Sequence, residues 1–222
     1  MLGLNAMMFL ITLLGGRLLP VFTSSRLKQL GIEARIRRYQ PLDRTALIAV
    51  AGVLLIDLIV PESFYAAFMA AVAAVLLALQ LGQWQGHKTL RMPILWVLHV
   101  AYAWLPICLA LKAAFLFAVP IPGSSWLHAF TAGAMATMII AIMSRAALGH
   151  TGRALVAPKA AVFAYLLLTA AALTRVFGPI LLPAAGGLWL VIAALSWCLA
   201  FILYLLVYAP ILCRPRIDGR PG

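Results

Sequence analysis

The sequence predicts an all-α protein, a polytopic transmembrane helical bundle of about seven spans. Composition is the first reason. Of 222 residues, 65% are apolar and 10% charged, whereas soluble domains average about half apolar and a quarter charged. Patterning is the second. The apolar residues form long runs without the polar face that a soluble bundle helix keeps toward water. The third is the placement of charge, which gathers in alternate connections between those runs.

A helix that crosses the hydrocarbon core needs about 20 mostly apolar residues. The runs are 1–22, 45–60, 64–82, 93–119, 126–143, 160–183 and 188–209. The first begins at Met1 with no basic stretch ahead of it and no small-residue cleavage site, unlike a cleavable signal peptide. Arg17 lies near its inner end and can snorkel to the interface. The second is short and borrows flanking residues to span. The third follows Pro61. The fourth starts at Pro93 and holds Pro106, which predicts a kink. The fifth follows Pro120 and Pro122 and contains AFTAGAMAT, a small-residue stretch that allows close helix packing. Gly149 is placed to end that helix in a left-handed cap. The sixth ends at Pro183 and the seventh near Pro210.

The net charge of +12 raises nucleic acid as a partner, but its placement argues for topology instead. Of 17 Lys and Arg, 14 lie in 23–44, 83–92, 144–159 and the tail after 209. Seven crossings put these four segments on one side, and the opposite connections (61–63, 120–125, 184–187) hold none. The positive-inside rule then places the basic side and the C-terminus in the cytoplasm and the N-terminus outside. The cysteines, Cys108, Cys198 and Cys213, are far apart, and no C-x-x-C or C-x-x-C-H occurs. Covalent c-type haem and zinc ribbons therefore have no support.

Ionisable residues within the runs are costly unless paired or facing a cavity. Lys112 and Arg175 lie roughly 10–12 Å from the outer helix ends at about 1.5 Å per residue, in the same outer half as Asp57. One reading is an ion pair of Asp57 with Lys112 or Arg175. The other is a polar pocket, with surplus positive charge for an anionic group such as a haem propionate.

Four histidines remain. His87 sits in a connection and reads as solvated. His99 lies in the fourth run, His128 near the start of the fifth, and His150 in the connection SRAALGHTGR with Arg145 and Arg153. A histidine inside a membrane helix needs a hydrogen-bond partner on a neighbouring helix or a metal, and imidazole suits haem iron and copper. His99 and His128 differ in depth by on the order of 20 Å at about 1.5 Å per residue, so one iron does not sit between both. His150 is better placed to approach the His99 level, with Arg145 and Arg153 for propionates. Met135 and Met138, below His128, are soft enough for copper(I), though such methionines also simply pack. Gly133 and its neighbouring alanines would let a flat macrocycle approach.

The stretches GGRLLPVFTSS (15–25), LWVLHVAYAWLPICLALKA (95–113) and LHAFTAGAMATMIIAIMSRAALGHTGR (127–153), with the basic linker between the first two runs, resemble the NnrS family. The resemblance runs over most of the chain. It implies a multi-pass bacterial inner-membrane protein that binds a non-covalent b-type haem and copper. It also implies a link to nitric oxide metabolism and nitrosative stress, with nitric oxide as ligand and no firmly attached enzymatic reaction. On this resemblance His99, His128 and His150 match recurrent histidines, and Arg17, Arg145 and Arg153 match recurrent arginines. His99 and His128 are the expected metal ligands. Family members usually have more spans, and the W-H-x-H-E-M-type stretch of their amino-terminal part has no counterpart here. The expectation is a carboxy-terminal part, whether a fragment, a split gene product with its other half on another chain, or a truncated gene; the missing half would be the place for further ligands, a partner of His128 among them. Beside this reading stand a transporter lined by Asp57, Lys112 and Arg175, and a non-catalytic assembly subunit of the membrane.

Overall fold

A computed structural model of the protein describes residues 1–32 and 39–219. Arg35, Arg37, Arg38 and Arg220 of the basic segments lie outside the described residues. The described residues form helices and no strands. The helices are α1 (Leu2–Gln29), α2 (Gln40–Ile59), α3 (Phe64–Gln83), α4 (Pro93–Leu116), α5 (Ser124–His150), α6 (Lys159–Leu181) and α7 (Gly186–Leu212). Short 3-10 turns at Gly86–Thr89 and Pro183–Ala185 lie before α4 and α7.

Six of these helices are long and apolar enough to cross a membrane. The exception is α2, which carries Asp43, Arg44 and Asp57 within 20 residues. Two of those charges turn inward: Asp57 pairs with Lys112 of α4, and Asp43 accepts from Gln80 of α3. Contacts at both ends fix the antiparallel succession. Asn5, Asp57, Lys112 and Trp126 meet at one end, drawn from the start of α1, the end of α2, the end of α4 and the start of α5. At the other end Arg145 of α5 lies over the Phe22 ring of α1, 4.0 Å from its centre. That second end holds Arg26, Lys28, Arg44, Lys88, Arg91, Arg153 and Lys159 as well, and is called the basic end below.

The bundle is built around α4, which packs on α1, α3, α5 and α6. Its buried face includes Leu98, Tyr102, Leu105 and Leu109, and Pro106 lies inside the helix. By contrast α7 packs mainly on α6, and most of its side chains face outward. Outward apolar side chains are what lipid requires of a helix at the periphery. Local chemistry starts the elements as expected: Pro93 opens α4, and the Ser63 hydroxyl caps α3 by accepting from the Ala66 N–H at 3.1 Å.

Helix bounds shift by a few residues from the sequence reading, and three differences bear on the site. First, α1 continues to Gln29, so Arg26 and Lys28 ride its last turn. At about 1.5 Å per residue a helix this long outruns the hydrocarbon core, and nothing in FTSSRLKQ breaks it. Second, α5 runs to His150, so most of SRAALGHTGR is helix and not loop. Third, Gly149 does not cap that helix. The left-handed residue is Gly152 (φ +72°), after Thr151. The Arg153 N–H donates to the Leu148 carbonyl at 2.9 Å and the Gly152 N–H to Gly149 at 3.2 Å, the paired bonds of a Schellman cap.

Candidate functional site

His99 is the most enclosed of the histidines, with 8% of its surface exposed. It lies six residues into α4 from the basic end. Its Nε2 and the Thr23 hydroxyl of α1 are 2.9 Å apart. The Trp84 ring meets it edge-on, with centroids 6.4 Å apart. The other nitrogen, Nδ1, is buried with no hydrogen-bond partner among the described residues. What faces it is Gly86, where a Cβ would stand 2.8 Å from Nδ1. Only glycine lets the backbone pack that close to this edge of the ring.

This arrangement has the features of a ligand histidine. When one ring nitrogen binds a metal, the other usually donates to a neighbour that fixes tautomer and ring orientation. In the tautomer whose Nε2–H donates to Thr23, Nδ1 presents a bare lone pair. A buried polar atom without a partner costs about 1–3 kcal/mol, so its presence calls for an explanation. The unpartnered nitrogen makes His99 the residue that would hold a haem iron, with Gly86 packed against that edge of the ring. It does not suffice for copper. Among the described residues no three of His, Cys, Asp and Glu come together to hold a metal. Met138 is buried in the core.

One turn along α4, the Tyr102 hydroxyl donates to Gln80 Oε1 at 2.8 Å, and Gln80 Nε2 donates to Asp43 Oδ1 at 2.8 Å. Both Gln80 and Asp43 line a cavity of about 300 Å³ between α1, α2 and α3. Arg17 and Arg44 line it too. Arg17 therefore belongs to this cavity and not to the surroundings of His99.

The remaining predicted residues divide between the two ends. Arg145 and His150 share a groove with Leu18 and Phe22 at the basic end, where His150 is exposed. Arg153 lies just beyond the Schellman glycine, and one of its terminal nitrogens is buried without a partner. His128 is at the opposite end, half-buried and within electrostatic reach of Arg175. The structure thus puts His99, Arg145, His150 and Arg153 at one end and His128 at the other. Gly133 offers no face to a macrocycle, because the Trp104 ring fills that space. A Cβ there would stand 2.4 Å from it.

Of the two partners expected for Asp57, Lys112 takes it, and Asn5 Nδ2 donates to the same carboxylate at 2.7 Å. Trp126 covers the ammonium, with its ring centre 4.9 Å from Nζ. Asp57 and Lys112 also line a small cavity of about 70 Å³ with Glu62, Phe115 and Trp126. Sequence reasoning missed Thr23, Gly86, Gln80, Arg26 and Arg91. Thr23 lies inside GGRLLPVFTSS, but no local signal joins it to a histidine 76 residues away.

Comparison with protein families matches residues 1–216 to the family described as NnrS protein. The chain belongs to the NnrS family. No curated protein and no solved structure matches it. The NnrS match spans essentially every helix described above, including those that place His99, His128 and the Asp57–Lys112 pair.

Proposed function

We propose that this NnrS-family chain is a multi-pass protein of the bacterial inner membrane that holds a b-type haem through His99 and acts in the handling of nitric oxide. The observation that carries the reading is the buried, unpartnered Nδ1 of His99 beside Gly86, with Thr23 on the opposite ring nitrogen. When bound, the haem supplies an iron with a coordination position that can take nitric oxide. Thr23 holds the imidazole plane and its tautomer. Burial of the ring among Trp84, Thr23 and Gly86 keeps bulk water from Nδ1. The clustering of Arg and Lys at the basic end supports a cytoplasmic placement of that end. Asp57 and Lys112 satisfy each other, with Asn5 and Trp126 as further partners, which supports a structural role over a transport pathway.

The test is the absorption spectrum of the purified, detergent-solubilised protein, oxidised and reduced, before and after nitric oxide. The expected result is a Soret band that shifts with nitric oxide, disappears in His99→Ala and survives in His128→Ala and His150→Ala. Thr23→Val keeps the band but loses haem affinity by about 10-fold or more, as loss of a ligand's orienting partner does. A band that persists in His99→Ala, or wild-type protein that stays colourless after haem supplementation, overturns the reading.

A further inference from the structure

A second cavity opens at the basic end, separate from His99. Its volume is about 360 Å³, within the roughly 300–1,000 Å³ of small-ligand sites. Three arginines from three segments converge on it: Arg26 from the last turn of α1, Arg91 from the connection before α4, and Arg145 from α5. Among the described residues that line it there is no Asp or Glu. Arg26 donates to Gln29 Oε1 at 3.2 Å. Arg91 and Arg145 have no hydrogen-bond or ion-pair partner among the described residues. Arg145 is half-buried, with its guanidinium carbon over Phe22, so the apolar face of the group is covered while its N–H donors are unspent. The first turn of α4, Met92–Leu95, forms part of the wall, and the positive end of its dipole adds to the field. Leu155 and Val156 supply an apolar wall.

We propose that this cavity binds the phosphate group of an anionic ligand. Guanidinium forks match phosphate oxygens in geometry and charge. Three of them without a carboxylate, beside exposed apolar side chains at the end of a membrane bundle, suit a phosphate at a water–lipid boundary. Two sources share that chemistry: the headgroup of an anionic phospholipid, and a free phosphate.

Native mass spectrometry of the full chain, released from nanodiscs of mixed phosphatidylglycerol and phosphatidylcholine, tests the site. Thermal-shift measurements with inorganic phosphate form the second arm. The expected result is selective retention of phosphatidylglycerol, or protection by phosphate. Each of Arg26→Gln, Arg91→Gln and Arg145→Gln reduces it by about 10-fold, the size of a lost charge-assisted hydrogen bond. Arg216→Gln, in the tail and already paired with Asp218, leaves it unchanged, as does His99→Ala. Retention of phosphatidylglycerol without competition by phosphate names the lipid; protection by phosphate alone names the free ion. Equal retention of both lipids with no phosphate protection overturns the site. So does binding that all three arginine variants preserve. Arg91 is exposed, so Arg91→Gln keeps the test valid even if the half-buried Arg145 variant fails to fold.

Discussion

Replacing Asp57 with leucine tests the energetics of the bundle directly. The substitution strands Lys112, whose residue is only 4% exposed. Removing one partner of a buried pair typically costs about 3–5 kcal/mol, because the other charge stays uncompensated. Asn5 Nδ2 also loses its acceptor, adding about 1 kcal/mol. The Trp126 ring beside the ammonium is common to parent and variant and does not change the difference. The net loss is about 4–6 kcal/mol. In a chain of this length each kcal/mol moves the midpoint by about 2–4 °C, so Asp57→Leu lowers Tm by about 10–20 °C. Unfolding is followed in detergent at one fixed scan rate with a thiol-reactive dye. Cys108 is the reporter because it is fully buried, and the exposed Cys198 and Cys213 are first replaced by serine. Adding Lys112→Met removes the stranded charge, and the double variant returns to within about 1 kcal/mol of the parent. A single Asp57→Leu variant within about 2 °C of the parent would refute the reasoning. A double variant no better than the single would do the same.

Two further outcomes follow from packing and hydrogen bonding. Gly133→Ala drives a methyl group into the Trp104 ring and costs about 1–3 kcal/mol as overpacking; Trp104→Leu in the same chain recovers part of that loss in the same melting assay. Gln80→Leu leaves the fully buried Tyr102 hydroxyl without its acceptor and costs about 1–3 kcal/mol; Tyr102→Phe added to it raises the midpoint again, whereas a further fall contradicts the bond.

The helices were legible because lipid leaves few alternatives. Runs long enough to span must be helical, and the residues between them carried the charge. The family was legible too, since its stretches are long and contiguous. The ends of helices were less so. Basic residues such as Arg26 and Arg145 look like loop in hydropathy, yet both are good helix formers that extend a helix past the apolar run. The pairing of Asp57 with Lys112 came down to two choices, and depth alone does not separate Lys112 from Arg175. Contacts such as Thr23 with His99, or Gly86 against Nδ1, bring together residues far apart or in a short turn with no periodicity. They exist only once α1, α4 and the 3-10 turn have packed.

The feature least visible to a periodic reading lies in α5, and it bears on which residue reaches the basic-end cavity. Between Ala129 and Met135 this helix widens into π geometry. A π turn holds one residue more than an α turn, so everything beyond Met135 is turned back by about one residue's advance, 100°. In a regular helix the place over Phe22 would fall to Ser144. With the π stretch it falls to Arg145, whose guanidinium then joins Arg26 and Arg91. The stretch tolerates this because AFTAGAM is mostly small, with Gly133 admitting Trp104. The Thr131 hydroxyl also donates to the Leu127 carbonyl at 2.8 Å, serving an acceptor where the ladder changes register. Counting residues at i+3 and i+4 from His128 assumes a constant pitch and therefore assigns the wrong face to every position after Met135.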